Sequence, residues 1–183
     1  MIRKIVIYLL LFVIGLVLLF FAMGLFNSSV QYGHEISVDK PIKEAWAVAM
    51  DESKYDLWLE GFKSMELISG EYGEVGSKYK IIVNPGEDQE DFEMIETVVS
   101  KEPLEHVKMD FDSEFMIFKQ TMTFEENDAK TSIKTDSRVI GKSLFMRSMF
   151  ACMETLTGSF TKQETKNIEA LKRVIEENSK DYY

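Results

Sequence analysis

The chain has 183 residues, and the 156 after residue 27 suit one folded unit and are too few for two full cores. Hydrophobic residues make up 45% of it, with 13 Phe, 7 Tyr and 11 Met, which argues against an intrinsically disordered chain. Setting aside Arg3 and Lys4 leaves 19 basic against 31 acidic groups, a balance of −12 after the first segment, and a field of that sign argues against nucleic acid as a partner.

The 22 residues from Ile5 to Phe26 carry no charge and no Pro. As a helix they cover about 33 Å, enough to cross the hydrocarbon core of a bilayer. A secretory signal peptide has an apolar core of only about 7–15 residues, so the stretch is expected to stay as an anchor. Residues 1–27 are therefore expected to form an N-terminal transmembrane segment and 28–183 a ligand-binding domain. Arg3 and Lys4 precede the run, whereas Asn27 to Glu35 has no Lys or Arg. The positive-inside bias then predicts a single-pass membrane protein with a cytoplasmic N-terminus and an extracytoplasmic domain.

Val30, Tyr32, His34, Ile36 and Val38 alternate with polar residues, the period of a half-buried strand. Pro41 stands at an expected first helical position behind Asp39 as a cap, and Ile42, Ala45, Trp46 and Ala49 recur at helical spacing. A second short helix is expected over Ser53 to Leu59. Six strands follow, at about 62–70, 77–84, 91–101, 105–112, 115–125 and 130–140. Gly73 and Gly76, Asn84-Pro85-Gly86, Pro103 and Asn127-Asp128 mark turns between them, so the sheet is expected to be antiparallel. From Leu144 to about Asn178 the period returns to that of one long helix, with a bend plausible near Gly158.

This order resembles the START/Bet v 1-like (SRPBCC) superfamily, and specifically a bacterial, membrane-anchored member of the polyketide cyclase/dehydrase-like kind. The likeness rests on Ile36 to Trp46, similar to a strand followed by a Pro-started helix with Trp, and on Asp51 to Trp58, similar to an Asp-x-x-x-[Tyr/Trp]-x-x-Trp turn. The Gly73 to Ser77 hairpin and the Met122-Thr123-Phe124-Glu125 strand extend it over residues 30–178. The resemblance implies an α+β helix-grip fold: a seven-stranded antiparallel curved sheet around a long C-terminal helix, with two short helices after the first strand. It also implies an apolar cavity between sheet and helix. Met146, Met149, Phe150 and Met153 on the helix, with Tyr79, Ile81, Met94, Met109, Phe111 and Phe118 on strands, are the expected ligand-binding lining. The same residues at the same spacing would equally serve a packed core.

Catalytic signatures are sparse. His34 and His106 have no paired-ligand spacing, no Gly-x-Ser-x-Gly elbow or phosphate loop appears, and Cys152 stands alone, so no metal or cofactor is expected. Asp110, Asp112 and Glu114 read as solvated turn residues, as does the run Glu87, Asp88, Glu90, Asp91 and Glu93, which lacks the calcium-loop pattern. His34, Tyr79 and Glu96 are the weak catalytic candidates. The expected function is a membrane-tethered binding or carrier protein for a small hydrophobic or lipid-like ligand, whose partners are that ligand and the bilayer, through residues 5–26. The alternatives are a polyketide cyclase/dehydrase-like enzyme on an apolar substrate, or a non-catalytic protein-interaction module, which a cavity well below about 300 Å³ would favour. No sequence pattern speaks to oligomeric state.

Overall fold

The structure is a computed structural model and describes residues 2–84, 86 and 90–182. It opens with a long helix, α1 (Ile2–Phe26), followed by two short strands, β1 (Val30–Tyr32) and β2 (Glu35–Val38). Next come α2 (Ile42–Ala49), a 3-10 turn (Glu52–Lys54) and α3 (Tyr55–Trp58). A meander of six strands follows: β3 (Phe62–Ser69), β4 (Lys78–Val83), β5 (Phe92–Glu102), β6 (His106–Asp112), β7 (Met116–Asn127) and β8 (Lys130–Gly141). Two helices, α4 (Leu144–Thr157) and α5 (Ser159–Glu176), close the chain. Every strand pair is antiparallel, and the meander runs in the order β8-β7-β6-β5-β4-β3 with β1 and β2 both paired to β8.

The single first strand expected over residues 30–39 is thus two strands sharing one sheet position. The break falls at Gly33 and His34, where a Cβ on Gly33 would collide with the Thr135 carbonyl; the regular pairing is interrupted there, held by the Thr135 N–H donating to the His34 carbonyl at 2.9 Å, and resumes at Glu35. The long last helix is likewise two. Gly158 adopts φ 62° and ψ 34°, the left-handed conformation that glycine takes without a Cβ penalty, and its N–H donates to the Glu154 carbonyl to end α4. Pro41 lies just outside α2, and Asp39 does not cap it; the Asp39 carboxylate pairs with Lys130 at 2.7 Å instead.

Three apolar clusters hold these elements together. The largest joins α2, α5, β2 and the β7–β8 hairpin through Val38, Trp46, Phe124, Ile133, Leu171 and Ile175, with Trp46 edge-on to Phe124 at 5.0 Å. A second sits on the far strands around Tyr79, Ile81, Val98 and Phe111, and a third joins β1, β8 and α4 through Val30, Val139 and Phe150. Between the sheet and α5 these clusters leave a space.

Helix α1 is long and apolar enough to span a membrane. Ile2 to Leu19 are exposed, a run of 18 residues or about 27 Å as a helix, whereas Phe20 to Met23 are half-buried and Gly24 is buried. The covered end packs on α4. A Cβ on Gly24 would lie 2.5 Å from the Ser148 backbone nitrogen, so only glycine permits that approach, and Phe20 and Phe145 meet beside it at 5.7 Å.

Candidate functional site

Where the three clusters part, a cavity of about 280 Å³ remains between the sheet and α5. Strand residues Ile81, Met94, Phe111, Phe118 and Val139 form one wall, Phe160 and Ile168 of α5 the other, and Met50, Trp58 and Leu59 near the short helices close an end. The alternation of β5 accounts for two of its groups. Met94, Glu96 and Val98 point to one side of the strand, and Glu96 therefore stands inward at a position otherwise occupied by apolar residues.

Of the ten residues expected to line a ligand site, Ile81, Met94, Met109, Phe111 and Phe118 line this cavity. Tyr79 is buried behind the wall, where its hydroxyl accepts from the Gly73 N–H at 2.6 Å and fixes the β3–β4 turn. Met146, Met149, Phe150 and Met153 do not reach the cavity, because the break at Gly158 lets α4 turn away. Met146, Met149 and Phe150 instead pack in the third cluster, and Met153 is 39% exposed. Helix α5 supplies the lining in their place.

Of the catalytic candidates, His34 lies outside the cavity. The strand break turns its ring toward α5, with Nε2 3.2 Å from Glu169 Oε1 and Nδ1 3.4 Å from Thr165 Oγ1. Glu96 alone of the three candidates faces the space. It is 6% exposed, and no hydrogen bond from a described residue reaches its carboxylate. Burial, with a further push from the Glu52 charge, raises its pKa from 4.5 to about 7.

Sequence reasoning missed a second polar group. Glu164 of α5 is also buried beside the cavity, and Gln120 Nε2 donates to it at 3.1 Å while Ser137 Oγ donates at 3.3 Å. Burial raises its pKa, opposed by hydrogen bonds from Thr135, Ser137 and Gln120. The signal was present in the stripe Phe160, Glu164, Ile168, where an acid holds the middle of an i, i+4, i+8 apolar row. Glu60, at the rim, is neutralised by Lys166 and accepts from Gln163 Nε2 at 2.6 Å. Tyr32 and Tyr55 line the walls, both with phenol pKa values raised by burial and by nearby acids. The indole N–H of Trp58 is buried with no hydrogen-bond partner among the described residues.

Asp110 and Asp112 pair with Lys119 and Lys142 on the outer face, and Glu114 is exposed. Glu87 and Asp88 of the acidic run, and Pro85 of the preceding turn, lie outside the described residues; Asp91 accepts from Asn84 Nδ2 at 2.7 Å. Among the described residues no cluster of three or more metal-ligating side chains occurs.

No family model and no curated protein matches the chain in sequence. Solved structures match it in shape. Ara h 8.0201 superposes with a TM-score of 0.62 at 16% identity, over 82% of this chain and 99% of its own. The ZhuI aromatase/cyclase of Streptomyces sp. R1128 superposes at 0.61 with 11% identity, over 81% and 94%. Truncated norcoclaurine synthase from Thalictrum flavum superposes at 0.57 with 17% identity, over 82% and 96%. The chain has the helix-grip fold that these structures share. Helix α1 packs on α4, and none of its described residues lines the cavity.

Proposed function

We propose that this protein is a membrane-tethered binding protein for one small apolar molecule, held between the sheet and α5. The observation that carries the reading is the open, apolar-walled space of about 280 Å³ at the centre of a fold whose other clusters are closed. That volume sits at the lower edge of the roughly 300–1,000 Å³ common for ligand sites, which suits a single compact guest and not a two-tailed lipid. Residues 2–19 of α1 are exposed and largely apolar while its end docks on α4 through Gly24, which supports residues 1–27 as the anchor and 28–183 as the domain it carries. The charges of Arg3 and Lys4 hold the N-terminus in the cytoplasm and place the domain on the opposite side.

Native mass spectrometry of the full chain released from non-ionic detergent tests the reading. The expected spectrum shows a discrete small-molecule adduct, or uptake of one 4-phenylbutanol per chain, and Met94→Trp, which fills the space, abolishes either. A protein that shows neither an adduct nor uptake of phenylbutanol, or that binds as well with Met94→Trp, overturns it.

One observation favours a catalytic reading. A carboxyl with pKa about 7, facing an apolar space, has the proton affinity suited to general acid or base work at neutral pH, as a cyclisation or dehydration of a bound substrate needs. Glu96→Gln then abolishes turnover of a candidate substrate while leaving its binding measurable.

A further inference from the structure

The cavity wall has a one-sided charge. Glu60, Glu96 and Glu164 contribute to it, and among the described residues no Lys, Arg or His does. The three acids are not equivalent. Glu60 has its own cation in Lys166, and Glu164 is held by Gln120 and Ser137, but Glu96 is 94% buried with no donor from any described residue. A buried carboxylate without a partner is costly, and the cost is removed either by a proton or by a cation that arrives with the ligand. The surrounding wall suits the second. Tyr55, Trp58, Phe111 and Phe118 all line it, so the space is bounded by aromatic rings, and such rings attract positive charge to their faces.

We propose that the cavity selects lipophilic amines: molecules with an apolar body and one protonated nitrogen, which pairs with the Glu96 carboxylate inside the aromatic wall. The inference rests on the binding function proposed above and narrows its ligand class. It runs against fatty acids and other anionic amphiphiles, because a ligand carboxylate would meet Glu96 and Glu164 with no cation in the wall to receive it.

The test compares three probes of matched body, 4-phenylbutylamine, 4-phenylbutanol and 4-phenylbutyrate, against the full chain in phosphatidylcholine nanodiscs. Isothermal titration at pH 8 is read after subtraction of empty discs. The expected order is amine, then alcohol, then acid, with the amine on the order of tenfold tighter than the alcohol, as one desolvated charge-assisted pair supplies. In Glu96→Gln the amine-to-alcohol ratio falls to near one. In Glu114→Gln, which removes an exposed acid outside the cavity, the ratio is retained, and this separates the site from general attraction to an acidic protein. Alcohol or acid binding as tightly as the amine to the unaltered protein overturns this inference and leaves the binding function standing. Binding of none of the three overturns both. Because the probe series is decided on the unaltered chain, a variant that fails to fold does not protect the proposal.

Discussion

Replacing Glu96 by Gln keeps the shape of the side chain and removes its titration. In the folded protein this carboxyl has a pKa of about 7, against an ordinary 4.5, chiefly because burial disfavours the charged form. Between those two values the folded state retains a proton that the unfolded chain has already released. Stability contributed by the protonated group is therefore full below about pH 4.5, declines as pH rises, and is gone above about pH 7. A displacement from 4.5 to about 7 corresponds to about 3 kcal/mol at 1.36 kcal/mol per pH unit. Gln never ionises, so at pH 8 the Glu96→Gln protein is expected to be more stable than the parent by up to about 3 kcal/mol, and at pH 4 to match it. For a domain of this size that difference raises Tm by roughly 6–12 °C. Glu164 is present in both proteins, so its own titration cancels in the comparison. Thermal unfolding followed by circular dichroism at pH 4, 6 and 8, without added ligand, measures the effect. A variant less stable than the parent at pH 8, or a difference that does not change with pH, would refute the assignment of Glu96 to a buried, unpartnered position.

Gly24→Leu places side-chain atoms where Ser148 stands, 2.5 Å from its backbone nitrogen at the Cβ alone. Amide exchange across Leu144 to Ala151 should then quicken on the order of tenfold while exchange in β7 and β8 stays unchanged, and unaltered exchange in α4 would show that α1 does not dock there. Gly158→Ala forces a Cβ into the left-handed conformation at φ 62° with no compensating contact, so stability should fall by about 1 kcal/mol and Tm by roughly 2–4 °C in thermal unfolding. Asp128 and Ala129 join β7 to β8 with φ of 49° and 65°, a turn in which Ala carries the strain that Gly avoids. Ala129→Gly should raise the denaturation free energy by about 1 kcal/mol, and a loss of stability would contradict that turn geometry.

The strand meander was legible because each strand carries a two-residue alternation and each turn is chemically marked. β8, expected at about 130–140, runs Lys130–Gly141, and β6, expected at about 105–112, runs His106–Asp112. What alternation does not reveal is steric exclusion by a distant segment. Gly33 breaks the first strand because the Thr135 carbonyl, a hundred residues later, occupies the place of its Cβ. Gly158, by contrast, lies in a stretch of weak helix formers whose bend was visible, although a full termination depends on the left-handed geometry that only the fold selects.

That one termination also explains why the lining residues were misplaced on the last helix. Periodicity identifies an apolar stripe but not what the stripe faces. Met146, Met149 and Phe150 of α4 pack with the β1–β8 edge, and Phe145 meets Phe20 at the end of α1, so the stripe faces these neighbours and not the cavity. Helix α5 carries the quieter pattern Phe160, Glu164, Ile168, in which the acid looks like an interruption. It is the better pointer to the cavity. A packed core rejects an acid at such a position, because an unsatisfied buried carboxylate costs more than the methylenes around it return, so a carboxyl in the middle of an apolar row implies donors or open space beside it. Glu164 has the donors, Gln120 and Ser137, and Glu96, at the inward position between Met94 and Val98, has the space.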